Sequence, residues 1–119
     1  MDPFTLGAAI LAFGYIAVVV IAITVDIITE WFRARGRIKA ENTHSIAFTL
    51  AERIKNKQYT KVTGVFDKAP TTASTRIVQG LFDQRTGKVL DARALASVRE
   101  PGAGVVRDHA AGSGLVIYE

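Results

Sequence analysis

Residues 6–25 read LGAAILAFGYIAVVVIAITV, a run of twenty residues without a charged side chain. A helix of that length would measure about 30 Å at about 1.5 Å per residue, which matches the hydrocarbon core of a bilayer. The run therefore predicts a helix that crosses a membrane once. Because no basic residue precedes it and no small-x-small site closes it, a retained anchor is favoured over a cleaved signal peptide.

The charges around the run predict its orientation. None of the residues before it is basic, whereas four basic residues follow within fourteen positions: Arg33, Arg35, Arg37 and Lys39. Basic segments beside a span stay in the cytoplasm and lie against anionic headgroups. We therefore expect the N-terminus outside, residues 1–39 as a single-span membrane helix with a basic end, and residues 40–119 as a cytosolic domain.

Small residues along the predicted helix indicate contact with other helices. Gly7, Ala8, Ala12 and Gly14 are small, and Tyr15 places a hydroxyl near the middle of the run. Small residues let helices approach closely in lipid, and a tyrosine hydroxyl is better satisfied against another helix than among lipid tails. The alternative is that alanine and glycine are simply common in spans. If the helices do pack together, a leucine at Ala12 or Gly14 should weaken the oligomer.

The remaining eighty residues are enough for one small domain. Alternating apolar residues predict strands over 45–50, 62–66, 78–82, 89–96 and 114–118, and a short helix over 105–111. Residues 45–55 also fit helical spacing, so both interpretations stay open there. The predicted fold class is α+β, with one N-terminal transmembrane helix followed by a small antiparallel, strand-rich domain that contains one short helix.

Two of these strands belong to a short internal sequence repeat. The segment TGVFDK at residues 63–68 recurs as QGLFDQ at residues 79–84, sixteen positions later. Matching alternation in both copies favours two equivalent strands, with Gly64 and Gly80 leaving room for a bulge or an aromatic neighbour. After the second copy, Gly87 is suited to the turn of a hairpin.

Residue types that carry catalysis or bind metals are sparse. The chain has no cysteine, which excludes disulfides, thiol catalysis and zinc–thiolate sites. His44 and His109 lack a second ligand at metal-binding spacing, and Ser113 lies near His109 without a nucleophile elbow. We therefore expect no enzymatic activity, no metal and no cofactor.

The net charge of +4 leaves polyanion binding open. Lys55, Lys57, Tyr59 and Lys61 alternate, and an aromatic ring between cations can stack on a nucleic-acid base. A solvated edge strand guarded by lysines explains the same residues.

Two functional hypotheses follow from these patterns. The first is a non-enzymatic, single-pass structural subunit of a larger membrane-embedded or filamentous particle, whose partners are the lipid bilayer and either copies of itself or other subunits. The second is a membrane-anchored effector or sensor whose basic domain binds a small ligand or a nucleic acid, with Arg85 and Lys88 added to the binding face.

Overall fold

A six-stranded sheet with helices on both faces organises residues 2–62 and 64–118, which are the residues that the computed structural model describes. The helices are α1 (Pro3–Phe13), α2 (Val25–Ala34), α3 (Gly36–Glu41) and α4 (Ala103–Ala111). The strands are β1 (Val18–Val20), β2 (Ser45–Ile54), β3 (Lys57–Gln58), β4 (Thr75–Asp83), β5 (Lys88–Ser97) and β6 (Leu115–Tyr118). The predicted boundary between residues 39 and 40 falls inside α3.

The sheet is mixed rather than wholly antiparallel. Its strand order is β1-β5-β4-β2-β3, and β6 also pairs with β2. β1 runs parallel to β5, whereas the other pairs are antiparallel. The strands of the predicted domain, residues 40–119, do pair antiparallel. The prediction is wrong in leaving out β1, which comes from the segment predicted to cross a membrane and makes the sheet mixed.

The apolar run of residues 6–25 is not one helix. α1 ends at Phe13, the chain turns at Gly14 with a φ of 99°, and β1 follows before α2 begins. Within residues 2–62 and 64–118, no helix is long and apolar enough to cross a membrane. The predicted single span, its orientation with the N-terminus outside, and the membrane location are therefore wrong.

The backbone preferences of single residues and the pairing of β1 in the sheet explain why the apolar run is not one helix. A φ of 99° is a conformation that glycine adopts at little cost, so Gly14 stops α1. The β-branched residues of 18–21 favour a strand, and β5 supplies the pairing. The run is continuously apolar because it serves both faces of the sheet: Leu6 and Ile10 are buried on one face, and Ile23 on the other.

The two faces of the sheet have separate cores. Ile46, Phe48 and Leu50 of β2 pack under α1. The opposite face carries Ala51 and lies under α2 and α4, with Val105 of α4 in the same cluster. Alternation along each strand divides the side chains between these two layers.

Most elements predicted after residue 44 are confirmed, but the first copy of the internal sequence repeat is not a strand. The second copy lies in β4, whereas residues 64–69 form successive turns, with bonds such as Asp67 N–H to Gly64 O at 3.4 Å. Gly64 has a φ of 84°, which a strand does not accommodate. Residue 63, which begins the first copy, lies outside the described residues. Phe66 is nevertheless buried against α1.

Thr24→Ala is expected to lower the free energy of unfolding by about 1 kcal/mol. The Thr24 hydroxyl oxygen accepts from Ile27 N–H at 3.2 Å and caps the N-terminus of α2. Thr29→Ala is a matched control, because the Thr29 hydroxyl donates to a carbonyl within the same helix. Urea denaturation should show the loss for Thr24 and a change within about 0.5 kcal/mol for Thr29. Equal losses would contradict the capping role.

Candidate functional site

The outer edge of β1 carries unused backbone hydrogen-bonding groups. Ala94 N–H donates to Ala17 O at 2.9 Å and Ile21 N–H to Ala96 O at 3.1 Å, so the odd-numbered residues around β1 face β5. Because directions alternate along a strand, the N–H and C=O groups of Val18 and Val20 point away from the sheet. In the part of the chain that the structure describes, no hydrogen bond uses them.

An apolar groove with a volume of about 520 Å³ runs beside this edge. We call it the edge groove. Its floor is formed by α1 and β1, and the turn at residues 64–68 forms the opposite wall. Its lining is Ile10, Leu11, Gly14, Tyr15, Ile16, Val18, Val20, Gly64, Val65, Asp67 and Lys68. Its only charged residues are one acid and one base, whose formal charges cancel.

Alternation in the short segment between α1 and β1 shapes the groove. Ile16 turns inward and is buried in the core under α1, whereas Tyr15 turns outward and is 80% exposed. Before the opposite wall, the Glu52 carboxylate accepts from Val62 N–H at 3.0 Å and pairs with Arg76.

A smaller concavity of about 190 Å³ continues the apolar surface past the end of β1. Val20 lines both concavities and is 57% exposed. Val98 lines the second and is 54% exposed. Leu11, Tyr15, Val20 and Val98 are thus exposed apolar residues that line two concavities sharing Val20.

A polar row crosses the opposite face of the sheet beneath α2. Thr49 lies opposite Gln79, and Gln79 opposite Arg93. The Gln79 amide donates to Ile28 O at 2.6 Å, while the Arg93 guanidinium donates to Gln79 Oε1 at 2.7 Å and to Ile27 O at 3.1 Å. Burial lowers the pKa of Arg93. These bonds fix α2 on the sheet.

His109 is fully buried at the end of this row. Its Nδ1 lies 2.7 Å from Val105 O, and its Nε2 lies 2.8 Å from the Thr49 hydroxyl, which is 2.9 Å from the Tyr118 hydroxyl. A carbonyl only accepts, so Nδ1 carries the proton, Thr49 donates to Nε2, and Tyr118 donates to Thr49. Burial lowers the pKa of His109 and raises that of Tyr118. The network joins α4 and β6 to β2.

The four basic residues predicted to lie on a membrane surface have different surroundings. Arg35 donates to Asp91 at 2.7 Å, and its guanidinium carbon lies 3.8 Å from the centre of the Trp31 ring. Arg37 pairs with Glu41 at 3.1 Å on the exposed side of α3. Arg33 and Lys39 lie in the last turns of α2 and α3. Arg35 thus serves the packing of α2 on the sheet.

The predicted polyanion-binding residues do not share one strand. Lys55 lies in the turn before β3 and approaches Glu100 at 3.2 Å. Lys57 is in β3, whereas Tyr59 and Lys61 follow in irregular backbone. A Cβ built on Gly114 would come within 2.7 Å of the Tyr59 ring, so the ring is packed there. Polyanion binding by these residues stays a prediction.

The residues predicted to pack helices together are divided by the fold. Gly7 is buried and faces Thr60, whereas Ala8 and Ala12 are exposed on α1. Gly14 and Tyr15 line the edge groove. The sequence reasoning therefore included two groove residues but missed Val18 and Val20, which the run of β-branched residues at 18–21 could have indicated as a strand.

No group of three or more His, Asp or Glu residues within residues 2–62 and 64–118 is placed to hold a metal ion. The sequence matches no protein-family model, and the chain shows no match to a curated protein or to a solved structure.

Proposed function

We propose that this chain is a non-enzymatic structural subunit that assembles with a second copy of itself through the edge groove and the outer edge of β1. The observation that carries the proposal is the set of exposed apolar side chains, Leu11, Tyr15, Val20 and Val98, that line two concavities sharing Val20. Clusters of exposed apolar side chains beside a groove often mark interaction sites. A binding role also fits the groove lining, in which only Tyr15, Asp67 and Lys68 carry functional groups.

A second copy is favoured as the occupant because the edge groove carries no net formal charge. The chain carries a net charge of +4, so two copies repel each other over most of their surfaces. The edge groove has one acid, Asp67, and one base, Lys68, and is therefore a region where two copies can meet without a charge penalty.

The area that a stable dimer interface buries is a small part of the accessible surface of one copy. A typical stable interface removes about 800 Å² from each partner, which is about one-eighth of the accessible surface of 6570 Å². A strand of three residues is too short to supply that area alone. The contact therefore needs the groove and the Tyr15 side chain as well as the strand edge.

The assembly is tested by measuring the mass of the wild-type chain against concentration by analytical ultracentrifugation. We expect a reversible dimer with twice the monomer mass of 12.9 kDa. Tyr15→Ser should raise the dissociation constant at least about tenfold, because exposed tyrosines at the centre of an interface carry much of its binding energy.

Phe4→Ser is the matched control for Tyr15→Ser. Phe4 is 81% exposed, almost the same as Tyr15 at 80%, but it lies at the start of α1 and lines neither concavity. We expect the Phe4 variant to dimerise like wild type. A wild-type monomer at every concentration, or equal effects of the two substitutions, would contradict the proposal.

A further inference from the structure

The outer edge of β1 is only three residues long, but it lacks the charges, prolines and bulges that keep strand edges apart. Residues 17–21 read AVVVI, without a charge, a proline or a bulge. Lysines, prolines and bulges are the usual protection of an exposed edge. On the opposite side of the sheet, β2 pairs with two strands: β3, which carries Lys57 and is two residues long, and β6, which covers Leu115–Tyr118. Of these edge strands, β1 is the one that lines the edge groove.

The geometry points to a two-fold axis through Val19, about which β1 of one copy pairs antiparallel with β1 of the second. This inference rests on the proposed self-assembly and specifies its register. Val18 and Val20 each present one N–H and one C=O outward. In this register Val18 lies opposite the second copy's Val20, and Val20 lies opposite the second copy's Val18. Each of these two pairs exchanges two backbone hydrogen bonds, which gives four in all. The Val19 residues of the two copies then lie opposite each other, in a pair without hydrogen bonds.

This register uses every outward group of β1 and joins the two six-stranded sheets into one. It is isologous, so the assembly closes at two copies. Pairing of β1 with the β3 edge of another copy would instead be head-to-tail and would extend without limit. The charge of Lys57 disfavours pairing at β3, and neither β3 nor β6 lines the edge groove.

The register is tested with Val19→Cys in the full chain, which has no natural cysteine. Directly opposed residues of a pair without hydrogen bonds lie about 4.5 Å apart at Cα, within the range that a disulfide spans. Mild oxidation should convert most of the variant to a covalent dimer. Gln58→Cys is the control, because residue 58 also lies on an edge strand, β3, and is more exposed than Val19. We expect it to cross-link at least about tenfold more slowly.

Val20→Pro tests the hydrogen bonds themselves. Proline removes the outward N–H of residue 20, which its own sheet does not use, and edge strands tolerate proline at such positions. We expect a folded protein, judged by circular dichroism and thermal unfolding, whose dissociation constant rises at least about tenfold. If this variant does not fold, the cross-linking of Val19→Cys decides the question alone.

The outcomes separate this register from the proposed assembly. A wild-type dimer in which Val19→Cys cross-links no faster than Gln58→Cys would overturn the register and leave the assembly standing. A folded Val20→Pro variant that dimerises as tightly as wild type would do the same. A wild-type monomer at every concentration would overturn both, and a mass that keeps growing with concentration would replace the closed dimer with a filament.

Discussion

The protein is expected to lose unfolding free energy through His109 as the pH falls from about 7 to about 5.5. Its imidazole is fully buried and accepts from Thr49 while donating to Val105 O. Burial lowers its pKa in the folded state below the usual 6.5. As the pH falls below 6.5, the unfolded chain takes up a proton that the folded chain refuses. The stabilisation is therefore complete above that pH and decreases below it, down to the pKa of the folded state.

Urea denaturation at several pH values between about 5 and 8 measures this loss, and His109→Gln is the comparison. Glutamine removes the titrating group, so this contribution to the slope should disappear, although the variant should be less stable than wild type at pH 7. The exposed His44 is unchanged in both proteins and cancels in the comparison. If the two proteins lose stability in parallel as the pH falls, the protonation of His109 is not the cause.

Gly80→Ala is expected to lower the free energy of unfolding by about 3 kcal/mol. A Cβ at this position in β4 would meet Asp91 O at 2.8 Å and the end of the Phe48 ring at 2.9 Å. Neither can yield easily, because the carbonyl belongs to the neighbouring strand and the ring is fully buried. Chemical denaturation of the variant and the wild type gives the difference directly.

Two further variants separate the causes of that loss. Gly36→Ala is the control, since a Cβ at the start of α3 meets nothing within 4 Å and alanine favours a helix. We expect its stability to stay the same or rise. In a Phe48→Leu background, Gly80→Ala should cost less than in wild type but not become neutral, because Asp91 O still blocks the added carbon. A small loss in the wild-type background would show that the strands can move apart.

Local patterns predicted the second half of the chain well. Alternation over residues 45–50 continued as β2, Gly87 with its φ of 71° supported the turn of the β4–β5 hairpin, and the predicted helix at residues 105–111 is α4. Gly80 faces an aromatic ring, as a glycine inside a strand suggested. These features depend on residues close together in the sequence, so the local spacing of apolar residues predicts them.

The candidate site was predicted only in part. Tyr15 and Gly14 were singled out as contact residues and do line the edge groove, but they were assigned to the surface of a membrane helix. The strand edge at Val18 and Val20 exists only because β5, some seventy-five residues later, pairs with β1. His109 appeared isolated in sequence, since its partner Thr49 lies sixty residues away.

The amino-acid sequence by itself determined where apolar and polar residues alternate, and that residues 6–25 form a continuous apolar run. It did not determine what the apolar residues of this run pack against. A bilayer and the two faces of a sheet both bury apolar side chains, and hydrophobicity alone does not distinguish them. Only the tertiary structure decided between them, because pairing of β1 with β5 satisfies backbone groups that a continuous helix would have satisfied internally.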